Sequence, residues 1–323
     1  MIKIAIIGYG NLGKACERIA SETVDFETVG IFTRRDPKSL SSPYGTRFYA
    51  QEDIDGFKDA IDVVCICTGS ANDVTELGVR LASSFNTVDS FDTHAKMGEY
   101  FRTMDKAAKE SGHLSFVGMG WDPGLFSLAR ALFFGVLPEG GTQTFWGKGV
   151  SQGHSEAIRR IDGVADAKQY TVPKSEAVEL ARDGKGENLS ERDKHFRECY
   201  VVAEEGADKK RIEREIVTMP HYFEPYDTKV YFIDKEEIEI FHSGMPHAGF
   251  VLRAGEINGT KQSMEFSLKL ESNPNFTASV LMAYARANAK LYASGELGAR
   301  SILDIPVSAL LGTNAVDNVC KFV

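Results

Sequence analysis

Lys3-Ile4-Ala5-Ile6-Ile7-Gly8-Tyr9-Gly10-Asn11-Leu12-Gly13 runs from a short apolar stretch straight into glycines spaced G-x-G-x-x-G. An amphipathic segment follows, then a second apolar run, Thr28-Val29-Gly30-Ile31-Phe32, which ends in Thr33-Arg34-Arg35. This is the strand, glycine turn, helix, strand order of a dinucleotide-binding unit. Gly8 permits the tight turn out of the strand, Gly10 lets a pyrophosphate approach the backbone, and Gly13 lets helix and strand lie close. The helix that follows offers unpaired N–H groups and a positive dipole end to phosphates. After the second strand, an NAD site usually carries an acidic residue for the ribose 2′-hydroxyl. Here a hydroxyl and two guanidinium groups occupy that place. Arginines pair with a 2′-phosphate where a carboxylate would repel it, so the reading is an NADP(H) site.

The 323 residues suffice for two domains with sizeable cores, and 43% hydrophobic with 26% charged residues is ordinary for a globular chain. A net charge of −9 argues against nucleic acid or an anionic membrane as partner. No apolar run reaches the length of a membrane span. Met1 stands almost inside the first strand, which leaves no room for a signal peptide and leads to a cytoplasmic expectation. The five cysteines, Cys16, Cys65, Cys67, Cys199 and Cys320, match neither a disulfide framework nor a zinc site. Cys65 and Cys67 share one face of an apolar strand and read as small buried hydrophobes in a reducing compartment. No metal is expected, because no H-x-x-H, H-E-x-x-H or cysteine cluster is present.

The first part alternates strands at 2–7, 28–33, 61–67, 86–89 and 114–118 with helices at 11–21, 72–83 and 97–111. That rhythm implies a Rossmann-type, doubly wound parallel α/β sheet. After Trp121 the pattern changes. Strands are expected at 144–150, 168–172, 229–240, 247–254 and 262–271, the last two joined across Asn258-Gly259, a hairpin dipeptide. Helices are expected at 207–218 and 277–292, and 175–194 reads as a helix followed by a mobile loop. The second half is therefore an α+β domain with an antiparallel sheet. We place the dinucleotide-binding domain at 1–118, with 298–323 as the candidate segment to return to it after a strand at 301–303, and the second domain at 119–297.

Polar residues at strand ends are the candidates for substrate chemistry. Asp92 and Asp122 follow strands of the first domain, and two carboxylates beside a hydride acceptor suit an amine. Trp146, the run Ser151-Gln152-Gly153-His154, Arg197, His247 and Asn273 lie in the second, and an arginine suits a carboxylate. Spacing alone leaves ordinary roles open: Asp122 as a turn residue, Asp92 as a helix N-cap, His247 as a strand-edge histidine, Arg197 as a surface residue. No G-x-S-x-G or Cys/His arrangement supports a covalent nucleophile.

Nearly end to end, the chain resembles the meso-diaminopimelate dehydrogenases. The resemblance rests on Gly8 to Gly13, Gly30 to Arg35, Val88 to Asp92, Gly120 to Gly124, Thr144 to Gly147, Ser151 to Ser155, Thr218 to Pro220, Gly244 to His247 and Asn273 to Ser279. It implies NADP-dependent, reversible oxidation of the D-configured amino centre of meso-2,6-diaminopimelate to L-2-amino-6-oxopimelate and ammonia, by a homodimer. By position, NADP would contact Tyr9, Gly10, Asn11 and Leu12; Thr33, Arg34 and Arg35; Cys67, Thr68, Gly69 and Ser70; Ser90, Phe91 and Asp92; and Met119, Gly120, Trp121, Asp122 and Pro123. Asp92, Asp122, Trp146, Gln152 and Gly153 would hold the reacting centre, and Thr171, Arg197, His247 and Asn273 the distal L-centre. One departure from the pattern is Thr33, where serine is common; both offer a hydroxyl. Hydride loss from the amine-bearing carbon needs a base, for which Asp92, Asp122 or a water between them are the candidates. Two other readings compete: a related two-domain oxidoreductase, such as a sugar-type dehydrogenase or a dihydrodipicolinate reductase, and a non-enzymatic NADP(H) sensor. The sequence lacks the Lys-Pro pair usual in the sugar-type enzymes, and its spread of polar candidates argues against a sensor.

Overall fold

The computed structural model describes residues 1–69 and 73–323. The chain divides into two compact units, Met1–Leu128 with Pro274–Val323, and Ala129–Asn273. The divisions fall at 128/129 and 273/274, where the sequence reading places them at 118/119 and 297/298.

In the first unit, β1 (Ile2–Ile7), β2 (Phe26–Thr33), β3 (Phe48–Ala50), β4 (Val63–Ile66), β5 (Thr87–Asp89), β6 (Leu114–Phe116) and the strand Gly298–Arg300 form one sheet. Its order is Gly298–Arg300, β6, β5, β4, β1, β2, β3, and every pairing is parallel. The chain runs outward from β1 through β2 to β3, then returns to build β4 on the opposite side of β1. The carboxyl ends of β1 and β4 therefore flank a topological switch point, where such sheets bind ligands.

Alternate residues of the central strands feed two cores. Ile4, Ile6, Val63 and Cys65 meet Cys16 of helix α1 (Asn11–Glu22) and Ala278, Leu281 and Ala285 of the long helix Asn273–Ala293. Ala5, Ile7, Val64 and Ile66 meet Leu81 of α2 (Asp73–Ala82) and Met104 of α3 (Met97–Ser111). Strands covered on both faces explain why their sequences are continuously apolar instead of alternating. The unexpected β3 is short, and its ring Tyr49 fits because Gly30 has no Cβ; one placed there would lie 2.6 Å from that ring. The strand expected at 301–303 is displaced to Gly298–Arg300, and Ile302–Asp304 forms a 3-10 turn under a Ser301/Asp304 capping box.

Helix α4 (Leu125–Val136) follows the Gly120–Gly124 turn. The second unit then contains β7 (Gly141–Trp146), β8 (Gly149–Val150), α5 (Gln152–Arg159), β9 (Val164–Pro173), α6 (Ser175–Arg182), α7 (Glu191–Lys194) and β10 (His195–Ala203). It continues with α8 (Lys209–Val217), β11 (Asp227–Phe232), α9 (Lys235–Phe241), β12 (His247–Ile257) and β13 (Thr260–Leu270). The architecture is α+β, but its strands divide between two sheets, β11-β10-β9-β8 and β13-β12-β7. Pairings are antiparallel except β10 with β11, which α8 links as a parallel crossover. The hairpin at Asn258-Gly259 is present, and both residues have positive φ, as a two-residue loop of that type requires. The expected strand 229–240 ends at Phe232, because Asp234 and Glu237 close a capping box that starts α9.

One buried carboxylate organises the ligand-facing edge of the first unit. Asp89, at the end of β5, has no solvent exposure. One of its oxygens accepts from the N–H groups of Phe91 and Gly118, each at 3.0 Å, and the other from the Tyr100 hydroxyl at 2.8 Å. Its carbonyl accepts from Met119 N–H at 2.7 Å. Burial pushes the Asp89 carboxyl up, and the three bonds to it oppose that shift. Asp89→Ala should cost about 2–4 kcal/mol in urea unfolding, because it orphans buried donors. Asp89→Asn should cost less, since its amide oxygen can still accept both N–H groups.

Candidate functional site

The glycine turn does what the spacing requires. Gly8 has φ +90, and a Cβ on it would lie 3.0 Å from the Cys67 carbonyl oxygen at the end of β4. A Cβ on Gly13 would lie 2.1 Å from the Gly8 carbonyl oxygen, so only glycine lets α1 approach the turn. A Cβ on Gly10 would meet nothing within 4 Å. Gly10 is the N-cap of α1 and supplies no side-chain cap, and Asn11, Leu12 and Gly13 form the first helical turn.

Gly8, Tyr9, Gly10, Thr33, Arg34, Arg35, Cys67, Thr68 and Gly69 line one cavity of about 310 Å³. Sequence reading missed one further lining residue, Gln51. It follows β3, and only the pairing of β3 with β2 brings it beside Thr33. Ser70 lies outside the described residues. Arg35 donates to the Tyr9 carbonyl at 2.5 Å, and its N–H donates to Thr33 Oγ1 at 3.2 Å, so the arginine end of β2 is tied to the glycine turn. The Tyr9 hydroxyl donates to buried Glu17 at 2.6 Å, and Ser42 donates to the other Glu17 oxygen. This folds the segment after Arg35 back over α1. Burial, with the Glu17 carboxylate beside it, pushes the Tyr9 hydroxyl well above its ordinary range. Cys67 Sγ lies 3.7 Å from Cys16 Sγ; both thiols are free, and the hydrogen bond with Cys67, then burial, raise the Cys16 thiol.

Ser90, Phe91 and Asp92 follow β5, and Met119 to Pro123 follow β6, so both sets stand at the carboxyl edge of the sheet. Their side chains differ in role. The Phe91 ring is buried 4.4 Å from Tyr100, and Met119 belongs to the core, which leaves their backbone for a ligand. Asp92 is exposed and Asp122 half-buried. Asp92 is not an N-cap: Thr93 holds that place before His94–Lys96. Asp122 sits in a turn closed by Gly124, where a Cβ would lie 1.7 Å from the Gly120 carbonyl oxygen.

In the second unit, Thr171 on β9 and Arg197 on β10 are cross-strand partners, and the guanidinium donates to the threonine hydroxyl. Arg197 is buried, yet its Nε has no hydrogen-bond partner among the described residues. It is no surface arginine. The remaining candidates gather at Met245: Gln152 reaches its sulfur, His247 donates Nδ1–H to its carbonyl at 3.2 Å, and Asn273 N–H donates to the same carbonyl at 3.4 Å. A carbonyl only accepts, which fixes the His247 tautomer; burial pushes its pKa down, so the ring is neutral at pH 7. Gly153 lies in the first turn of α5. Trp146 N–H donates to Nε2 of buried His195 at 2.9 Å. A Cβ on Gly147 would lie 2.2 Å from the Thr171 carbonyl oxygen, which seats the end of β7 on β9.

His154 was noted in the sequence only as part of a run. Its Nδ1 lies 2.7 Å from Ser151 Oγ, and its ring meets Tyr222 and Phe223 edge-on. Burial, then the Arg197 charge, push it down to about 4.

A parallel sheet with a glycine-built switch point, joined to an α+β unit holding a buried, donor-rich arginine, defines the two-unit dinucleotide-dependent oxidoreductase plan. The model of the diaminopimelic acid dehydrogenase C-terminal domain matches residues 120–272. Meso-diaminopimelate D-dehydrogenase of Lysinibacillus sphaericus is 54% identical over 310 residues, covering 96% of this chain and 95% of the relative. The structure of Corynebacterium glutamicum DAP dehydrogenase in complex with DAP superposes with a TM-score of 0.89 at 41% identity, over 100% of this chain and 99% of that one. An engineered D-amino acid dehydrogenase bound to NADP+ gives 0.83 at 39% identity, over 100% and 99%. The chain belongs to the meso-diaminopimelate dehydrogenase family.

The His154 shift has a consequence for stability. Unfolded, the ring takes up a proton near pH 6.5; folded, near 4. Between those values the unfolded chain binds more protons, so His154 makes stability fall as pH is lowered from about 6.5 towards 4. His154→Gln should lose less unfolding free energy than the native protein between pH 7 and 4.5 in paired urea titrations. Parallel losses in both would remove His154 as the cause.

Proposed function

We propose that this chain catalyses the reversible, NADP-dependent oxidative deamination of the D-configured centre of meso-2,6-diaminopimelate, giving L-2-amino-6-oxopimelate and ammonia. The carrying observation is the buried Arg197 with its unpaired Nε, a ready carboxylate partner, in a chain that matches a DAP-bound structure over its full length. The nucleotide cavity fits the cofactor: Gly10 leaves open space beside the uncapped first turn of α1, and Thr33, Arg34 and Arg35 line the same cavity. A structure of the same fold holds NADP+. When bound, NADP accepts the hydride.

The chain's own residues do the rest. Gly8 to Gly13 hold the pyrophosphate, with Cys67 to Ser70, Ser90 to Asp92 and Met119 to Pro123 completing the nucleotide contacts. Arg34 and Arg35 pair with the 2′-phosphate. Asp92, Asp122, Trp146, Gln152 and Gly153 hold the reacting centre, and Thr171, Arg197, His247 and Asn273 the distal amino-acid centre. An ammonium cannot give its lone pair to a forming C=N bond, so Asp92, Asp122 or a water held between them removes a proton before or during hydride transfer. The substrate imine then hydrolyses. Fixing both ends of the substrate sets one Cα–H in place, and an inverted centre would leave buried donors unpaired. Residues 1–118 and 298–323, joined by Met119 to Pro123, serve the dinucleotide, and the rest of 119–297 serves the substrate and a homodimer contact. The free cysteines suit a reducing setting, for which we propose the cytoplasm. No helix among the described residues is long and apolar enough to cross a membrane.

NADPH formation should appear with meso-diaminopimelate and NADP, and fail with the L,L isomer or with NAD; equal turnover of both isomers would defeat the stereochemical reading. Arg34→Ala should weaken NADP binding by about 1.5–3 kcal/mol while barely changing NAD, and Arg35→Ala, which also frees the Tyr9 carbonyl, should weaken NADP more than NAD. Equal losses for both nucleotides in a titration would defeat the 2′-phosphate assignment. Arg197→Ala should raise the KM for diaminopimelate and leave NADPH affinity unchanged; native kinetics would remove Arg197 from the site.

A further inference from the structure

Tyr226 closes the turn that leads from α8 into β11, immediately before Asp227. The Arg197 guanidinium carbon lies 3.9 Å from the Tyr226 ring centroid, within the range of a cation–π contact. The backbone around the ring is held from several sides. Tyr226 N–H donates to the Phe223 carbonyl at 2.8 Å, and Phe223 is fully buried. Arg192 donates to the carbonyls of Glu224 at 2.6 Å and Pro225 at 3.3 Å. Asp227 pairs with Lys174 at 2.5 Å. The ring is therefore mounted on a fixed turn.

Arg197 is held on two sides with different chemistry. The Thr171 hydroxyl takes one of its terminal N–H groups, and the Tyr226 ring covers the guanidinium. The Nε stays buried and without a partner among the described residues. A planar cation fixed by one hydrogen bond can still pivot about that bond, whereas an aromatic ring over its face fixes the plane as well. In a bidentate pair, guanidinium and carboxylate must be coplanar, so the orientation of that plane sets the affinity.

We propose that Tyr226 is a positioning residue for Arg197, holding the guanidinium plane so that its unpaired edge receives the distal carboxylate of the substrate. The inference rests on the reading that Arg197 binds that carboxylate. Tyr226 itself needs no contact with the substrate; its ring covers the guanidinium and its hydroxyl also interacts with it.

The test is steady-state kinetics of Tyr226→Ala, Tyr226→Leu, Tyr226→Phe, Arg197→Ala and the Tyr226→Ala/Arg197→Ala pair, with thermal unfolding of each variant. Tyr226→Ala and Tyr226→Leu should raise the KM for meso-diaminopimelate about tenfold, the scale of a desolvated cation–π contact. Their kcat and KM for NADP should stay within about twofold, and Tyr226→Phe, which keeps the ring and loses only the hydroxyl, should raise the KM for meso-diaminopimelate less than Tyr226→Ala. In the Arg197→Ala background, Tyr226→Ala should add nothing. If Arg197→Ala raises the KM and Tyr226→Ala does not, the Tyr226 inference falls and the Arg197 reading stands. If Arg197→Ala leaves the KM unchanged, the Arg197 reading itself falls. If all Tyr226 variants, Phe included, lose kcat, NADP affinity and thermal stability together, the residue is only structural and the inference is overturned.

Discussion

A carboxylate taken out of water is costly unless donors surround it, and Asp89 is surrounded by donors from the two loops that matter most. The N–H of Phe91 and that of Gly118 converge on a single oxygen, so the segment carrying Asp92 and the segment leading to Asp122 cannot shift independently. Tyr100 brings α3 to the same group. The candidate acid–base residues thus hang from one buried anion at the end of β5. The strands supply only the carboxyl edge; Asp89 fixes how two loops leave it.

The second unit meets the same need for precise placement with a sheet row instead of a single anion. Thr171 and Arg197 are registered across β9 and β10, and Thr228 on β11 continues that row. Towards the far end of these strands the same face is apolar, with Ala167 and Val201 in a core that includes Phe223. One sheet face is therefore core at one end and a polar site at the other. Met245 gathers Gln152, His247 and Asn273 by backbone and sulfur contacts, so residues distant in sequence are set by a short stretch before β12.

How much of this was legible in the sequence depends on whether the signal is local. The Gly8–Gly13 turn, β1, α1 and β2 could be read because each glycine answers a constraint within a few residues. The hairpin at Asn258-Gly259 could be read for the same reason. Strand β10 was hidden, because its buried positions include His195 and Arg197, which break the apolar alternation that marks a half-buried strand. Helix α4 was hidden in the opposite way: Leu132, Phe134 and Val136 are exposed, so no single apolar stripe stands out. Gln51 depends on a sheet pairing, and Asp89 looks in sequence like any acidic residue after a strand. Its burial and its three donors exist only in the fold. The family resemblance supplied the names of the distal residues, but not the Arg197 environment of Tyr226 and His154.

The division of the chain also gives its synthesis an order. Residues 129–273 are contiguous and can close their cores as soon as they leave the ribosome. The sheet of the first unit cannot. The helix that covers Ile4, Ile6 and Cys65, and the edge strand Gly298–Arg300, are made only after the whole second unit. Until then one apolar face of the nucleotide-binding sheet has α1 but lacks the rest of its cover, the condition in which partly folded chains associate wrongly. Elongation past Pro274 is therefore the step that makes the glycine turn part of a finished domain.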